Sequence, residues 1–133
     1  MAFRIVAHPR AWWKVVWPGV AEDGQIVSNE IELRFLLKKV DDAVDLEIAV
    51  QAMMADAAKP RGDGSETRSS AVMAKALMLF ADNWRGVHAE NGDPLPWCED
   101  NVALLMNEPN VWESAMAAYR ACLAGRAEHR AGN

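Results

Sequence analysis

The sequence predicts an α+β protein: a small N-terminal antiparallel β-hairpin or meander followed by a bundle of about four helices. Three observations carry that expectation. Between Trp12 and Leu37 aromatic and β-branched residues gather, and from Glu30 onward apolar and polar residues alternate, the period of a half-buried strand. From Ala43 the apolar residues recur at helical spacing instead. The chain has 133 residues, the length of one domain, and can bury enough surface to fold without staples. The expected organisation is a single domain over 1–133, with a β element at 1–38, a helical part at 41–125 and a polar tail at 126–133.

Phe3-Arg4-Ile5-Val6-Ala7 is a short strand candidate closed by Pro9. Trp12-Trp13-Lys14-Val15-Val16-Trp17 is the next, and Pro18-Gly19 is expected to end it or bulge it. Glu22-Asp23-Gly24-Gln25 is a turn signal, because Asp-Gly tolerates the positive φ of tight hairpins. In the following strand Ile31, Leu33, Phe35 and Leu37 share one face, and Glu30, Glu32 and Arg34 the other. Two or three strands do not hold alone, so they must pack on helices or on another copy. An uncovered hairpin edge, with its unpaired N–H and C=O groups, is where a homo-oligomer could form.

Asp41 or Asp42 is placed to cap the first helix. Its apolar stripe is Ala43, Leu46, Val50, Met53, Met54 and Ala57. Two glycines and a proline make 59–65 a loop and a candidate hinge. A second helix is expected over 67–84. It is apolar nearly all round, with Val72, Ala76, Leu79 and Phe80 on one stripe, Met73, Leu77 and Trp84 on another, and Ala74 and Met78 behind. Such a helix is central, or partly covered by a partner. Residues 87–97 read as a loop that turns at Asn91-Gly92 and is stiffened by Pro94 and Pro96. A short helix follows over 98–107 with Val102, Leu105 and Met106 inward. Pro109 suits the first turn of the last helix. Val111, Ala115, Ala118, Tyr119 and Cys122 form its inner stripe, flanked by Trp112, Met116 and Leu123, and Gly125 suits its C-terminal cap.

Composition excludes several function classes. Fourteen Lys and Arg stand against 19 Asp and Glu, a formal charge of −5. That disfavours nucleic acid bound through a wide basic face and adsorption to anionic membranes. No apolar run approaches the roughly 20 residues of a membrane span, and the N-terminus lacks the pattern of a secretory signal. No nucleic-acid or membrane partner is expected, and the expected compartment is the cytoplasm. Cys98 and Cys122 read as reduced thiols. His8, His88 and His129 lack the short spacings of metal sites. Residues 61–67 carry glycines but no Gly-Lys-Ser/Thr phosphate cradle. No Gly-x-Ser-x-Gly is present. Cys98 stands near a helix start, which lowers a thiol pKa, but a cap or small buried residue is the ordinary reading. The carboxylates cluster at helix starts, where the dipole favours them. No cofactor, metal or catalytic residue is nominated, and the expectation is that the chain is not an enzyme.

Apolar excess is the more informative signal, with six Trp and seven Met. Adjacent Trp12 and Trp13 must face opposite sides of a strand, and Met supplies pliable surface. Trp12, Trp13 and Met78 are therefore the candidate partner-contact residues.

One segment carries a family likeness. Trp84-Arg85-Gly86-Val87, the turn Glu90-Asn91-Gly92-Asp93, then Pro94-Leu95-Pro96-Trp97 and Cys98-Glu99-Asp100-Asn101-Val102 resemble a pattern of small tail assembly chaperones of long-tailed bacteriophages and prophages. That pattern is Trp-x-Gly-Val, an acidic Gly turn, Pro-Leu-Pro-aromatic and Ser-x-x-Asn-Leu. The likeness continues through 104–111 and Ala117-Ala118-Tyr119, and in the hairpin residues 17–20 and 30–35. It covers most of the chain outside 59–67. Cys98 stands where the family often has Ser, a better cap. Trp84, Gly86, Pro94, Pro96, Trp97 and Asn101 form the structural motif: Trp84 ends the central helix, Gly86 reverses the chain, and the prolines let Leu95 and Trp97 dock back as a clasp. The resemblance implies binding to the tape measure protein and recruitment of tail tube protein, inside a bacterial host cell. In many phages a frameshifted longer form also exists. A different phage tail or connector protein is the alternative, and a small enzyme or ligand-binding domain a more distant one.

Overall fold

The computed structural model describes residues 2–59 and 69–125. Two long strands, β1 (Arg10–Val20) and β2 (Ile26–Leu36), are followed by α1 (Val40–Ala57), α2 (Ser69–Phe80), β3 (Ala81–Arg85), α3 (Glu99–Met106) and α4 (Val111–Ala124). The sheet is antiparallel with order β1-β2-β3. The chain is thus α+β: among the described residues it forms a three-stranded sheet and four helices.

The hairpin turns where Asp-Gly predicts. Gly24 has φ 84°, and Asp23 Oδ1 accepts the Gln25 N–H at 3.0 Å. The Ala21 N–H donates to Gln25 O at 2.8 Å, which sets the parity of the ladder. Odd-numbered residues of β1 aim their backbone groups at β2, and even-numbered ones aim theirs at the outer edge. Pro18 therefore loses its N–H on the side where no strand needs it. That is why β1 runs on through Pro18 and Gly19, paired to Ser28 and Val27, instead of ending there. The same parity puts Trp13, Val15 and Trp17 of β1 and Ile31, Leu33 and Phe35 of β2 on the buried face.

The first strand candidate does not form. Residues 2–6 belong to no strand, and Phe3 and Ile5 stay 87% and 85% exposed. The helix expected over 67–84 is cut short as well. It stops at Phe80, and Ala81 to Arg85 become β3 on the free edge of β2. Leu33 and Trp84 lie side by side in that pairing, both buried.

The helices otherwise follow their stripes. In α1 the less exposed residues are Ala43, Leu46, Val50, Met53, Met54 and Ala57, and Val50 alone is buried. Lys39 holds the N-cap position without a side-chain bond, so Asp41 and Asp42 lie in the first turn and act on the dipole, not as caps. Pro109 falls in the turn before α4, whose N-cap is Asn110 at φ 74°. The expected inner stripe of α4 is buried, and Gly125 closes the helix. Most of the 59–65 loop and the 126–133 tail lie outside the described residues. One apolar cluster joins all seven elements, with Phe35, Leu33, Leu77, Val15, Val102 and Val111 deepest.

Between Arg34 and Phe35 the β2–β3 register slips, leaving Asp82 unpaired. The bulge turns its carboxylate to the outer face, where Arg34 Nε donates at 2.6 Å and Arg10 at 3.0 Å. Partial desolvation pushes the Asp82 pKa up, but these two hydrogen bonds and charges outweigh it and hold it below 3.8. A carboxyl with a depressed folded value stabilises the fold above its unfolded pKa and loses that contribution as pH falls through the folded one. Denaturant midpoints measured downward from about pH 5 are expected to fall more steeply for the native chain than for Asp82→Asn, which should be weaker at neutral pH and flatter in acid.

Candidate functional site

The segment after β3 folds back on the core. Gly86 takes φ 85°, and a Cβ there would meet Ile31 Cα at 3.8 Å, so the chain crosses close over β2. Residues 87–95 then form a small hairpin of their own. Leu95 N–H donates to Val87 O at 3.0 Å, Ala89 N–H to Asp93 O at 2.8 Å, and His88 faces Pro94 across a single bridge. Asn91 closes the tip by accepting the Asp93 N–H at 3.0 Å. His88 Nδ1 lies 3.0 Å from Gly92 O, and a carbonyl partner makes that nitrogen the donor.

Three contacts tie the hairpin down. The indole N–H of Trp84 donates to Leu95 O at 2.8 Å. Trp97 stacks edge-on to Trp84, centroids 5.2 Å apart at 86°. Asn101 Nδ2, from the first turn of α3, donates to Pro96 O at 2.9 Å. The clasp read from the sequence is therefore present, with Leu95 and Trp97 packed on the core. Its anchor, however, is a strand residue: Trp84 lies in β3, one residue before its end, and not in the central helix. Cys98 is the N-cap of α3 but makes no side-chain cap bond and is exposed, as a Cys in place of Ser would be.

Trp12, Trp13 and Met78 end up in three different settings. Trp13 is in the core, 5% exposed, and its indole N–H meets no partner among the described residues. Trp12 lies on the outer face, but Arg85 stacks over its ring at 3.6 Å and Arg34 sits 5.6 Å away. Arg85 also reaches Glu32 at 3.9 Å. Met78 is half-buried against the core. The structure does not bring the three together, and none presents bare apolar surface.

Bare surface lies elsewhere. At the hairpin tip Val20 and Ile26 are 74% and 81% exposed. They border a groove of about 570 Å³ between the hairpin and the turn before α4, lined by Trp17, Pro18, Val27, Pro109 and Asn110 among others. Asn110 Nδ2 spans it to Pro18 O at 3.5 Å. A second apolar stretch runs along α1 through Val40, Val44 and Ile48. The signal that could have found both was aliphatic residues outside the inward stripes, as Val44 and Ile48 are.

Burial pushes the Cys122 thiol up to about 11, leaving it protonated and unreactive. Among the described residues no cluster of His, Cys, Asp or Glu could hold a metal ion, and no helix is long and apolar enough to cross a membrane. A cavity of about 420 Å³ by Lys38 and Lys39 carries mixed charge, and its Arg10 is already bonded to Asp82. No protein-family model, curated protein or solved structure matches the chain.

The clasp has a measurable stability. Trp84→Phe removes the Leu95 hydrogen bond and part of the Trp97 contact, and is expected to cost about 2 kcal/mol in urea unfolding. Asn101→Ala, at a more exposed bond, should cost about 0.5–1 kcal/mol. The reverse order would mean that Asn101, not the indole, holds the clasp.

Proposed function

We propose that this chain is a tail assembly chaperone of a long-tailed phage or prophage. In this reading it binds the tape measure protein and assists tail tube assembly in the cytoplasm of the bacterial host, without making or breaking bonds. The observation that carries the reading is bare aliphatic surface at the hairpin tip, beside a groove whose lining is mainly apolar. Exposed apolar surface rimmed by polar residues marks sites where another polypeptide is covered. The clasp motif shared with that family supports it from the sequence side. The physical mechanism is temporary masking: apolar stretches of the tape measure protein rest on these faces until tail tube protein displaces the chaperone. Among the described residues no strand pairs with the outer edge of β1, and a second copy can pair there.

Co-expression with the tape measure protein of the same phage tests the reading. The tape measure protein is expected in the soluble fraction only when the chain is present. The double variant Val20→Asp/Ile26→Asp should lower that recovery by about fivefold or more while circular dichroism stays unchanged. A tape measure protein that aggregates equally with and without the chain overturns the proposal. Recovery of the chain in purified virions would make it a structural tail or connector protein instead.

A further inference from the structure

Helix α1 is apolar on a second side. Val40, Val44 and Ile48 are 80%, 53% and 62% exposed. Spaced four apart, they lie in one row, about 12 Å long at the helical rise. The core-facing stripe of Ala43, Leu46 and Val50 lies on another side, so burial does not account for the outer row, which stays more than half exposed among the described residues. Nor does it serve the helix, since branched aliphatics are poor helix formers at exposed positions. The flanks are acidic. Asp41 and Asp45 border the row on one side, and Glu47 borders it on the other, toward α4, where it lines a cavity with Tyr119 and Arg120. No Lys or Arg occurs between Val40 and Ala57, and Lys38 and Lys39 stand just before the first turn.

We infer that this outer face of α1 is a docking surface for an amphipathic helix whose apolar stripe is bordered by Lys or Arg. The straight row matches the ridge that helix packing uses. The acidic borders attract a basic visitor and repel an acidic one. The inference deepens the assembly reading and rests on it for the partner being another polypeptide. The hairpin groove then covers a different part of that partner.

The probes are two labelled peptides of about 15 residues, long enough for a marginal helix. They share one leucine stripe and carry either Lys or Glu beside it. Fluorescence anisotropy with the full chain at low salt is expected to show the Lys peptide bound about tenfold tighter or more, with the gap closing as salt rises. Asp45→Lys/Glu47→Lys should abolish or invert that preference. Glu22→Lys/Glu90→Lys makes the same change in net charge away from α1 and should leave it intact. Val44→Asp/Ile48→Asp should weaken binding of both peptides, with circular dichroism confirming the fold. Equal binding of the two peptides, or equal effects of the two charge variants, overturns the inference.

Sedimentation of the free protein tests the other occupant. A dimer dissolved by the α1 substitutions would make this face a contact between copies, and also overturns it. The co-expression result stands apart. If tape measure protein stays soluble with the α1 variants, the surface assignment fails while the chaperone reading survives. If peptide discrimination holds but the native chain rescues no tape measure protein, the chaperone reading fails and the surface remains.

Discussion

Tyr119 joins three elements at one point. Its ring meets Phe35 of β2 edge-on at 5.3 Å and Phe80 of α2 at 4.9 Å. Its hydroxyl donates to Leu36 O at 3.2 Å and accepts the Lys38 N–H at 3.4 Å. Desolvation raises the phenol pKa, outweighing the opposing hydrogen bond from Lys38, so the group keeps the proton it donates. Edge-on aromatic pairs add about 0.5–1.5 kcal/mol each beyond their buried area. The geometric consequence is larger. The contacts fix where β2 leaves the sheet and where α2 stops. Once Phe80 is pinned beside Phe35, the next residues lie against the free edge of β2. β3 and then the clasp follow from that placement.

The two faces of the sheet meet different demands. The inner face is a packed core in which Leu33 and Phe35 exclude water completely. The outer face uses charge: Asp82 holds Arg34 and Arg10, Arg85 lies on Trp12, and Glu32 reaches Arg85. Each exposed pair contributes little alone. Arg85 and Arg34 together cover an indole that would otherwise be bare. The most exposed large apolar side chains among the described residues are Phe3 and Ile5 before the sheet, Val20 and Ile26 at the hairpin tip, and Val40 and Ile48 on α1, not the adjacent tryptophans Trp12 and Trp13.

Much of this was legible in the sequence, for identifiable reasons. Period-two alternation in 30–37 and the inner stripes of α1 and α4 report burial directly, because each inward position meets the core. β3 was not legible. Ala81-Asp82-Asn83-Trp84-Arg85 is too short and too poor in β-formers to announce a strand, and Trp84 fits the preceding helical period equally well. Its conformation is set by β2, a long-range partner that local pattern does not contain. Phe3 to Ala7 fails in the opposite sense, having strand composition but joining no sheet among the described residues. Pro18 shows that a breaker depends on which way its missing N–H points. The clasp was readable because Gly86 and the two prolines constrain the backbone locally, whereas the hairpin groove requires Pro109 and Pro18, distant in sequence, to be known as neighbours.

A covering role and a folding role make opposite demands on apolar residues, and the chain separates them by element. α2, α4 and the sheet carry nearly all of the fully buried side chains, while α1 spends eighteen residues to bury Val50. Elements with few buried contacts open at the low end of a protein's range of local stabilities. α1 packs chiefly on α2, so opening there leaves the Tyr119 junction and the clasp in place. A surface meant to hold another chain only for a time benefits from that arrangement. Binding to a marginal helix must spend part of its energy on ordering it, which weakens the grip and eases release without loss of the acidic borders that select the visitor.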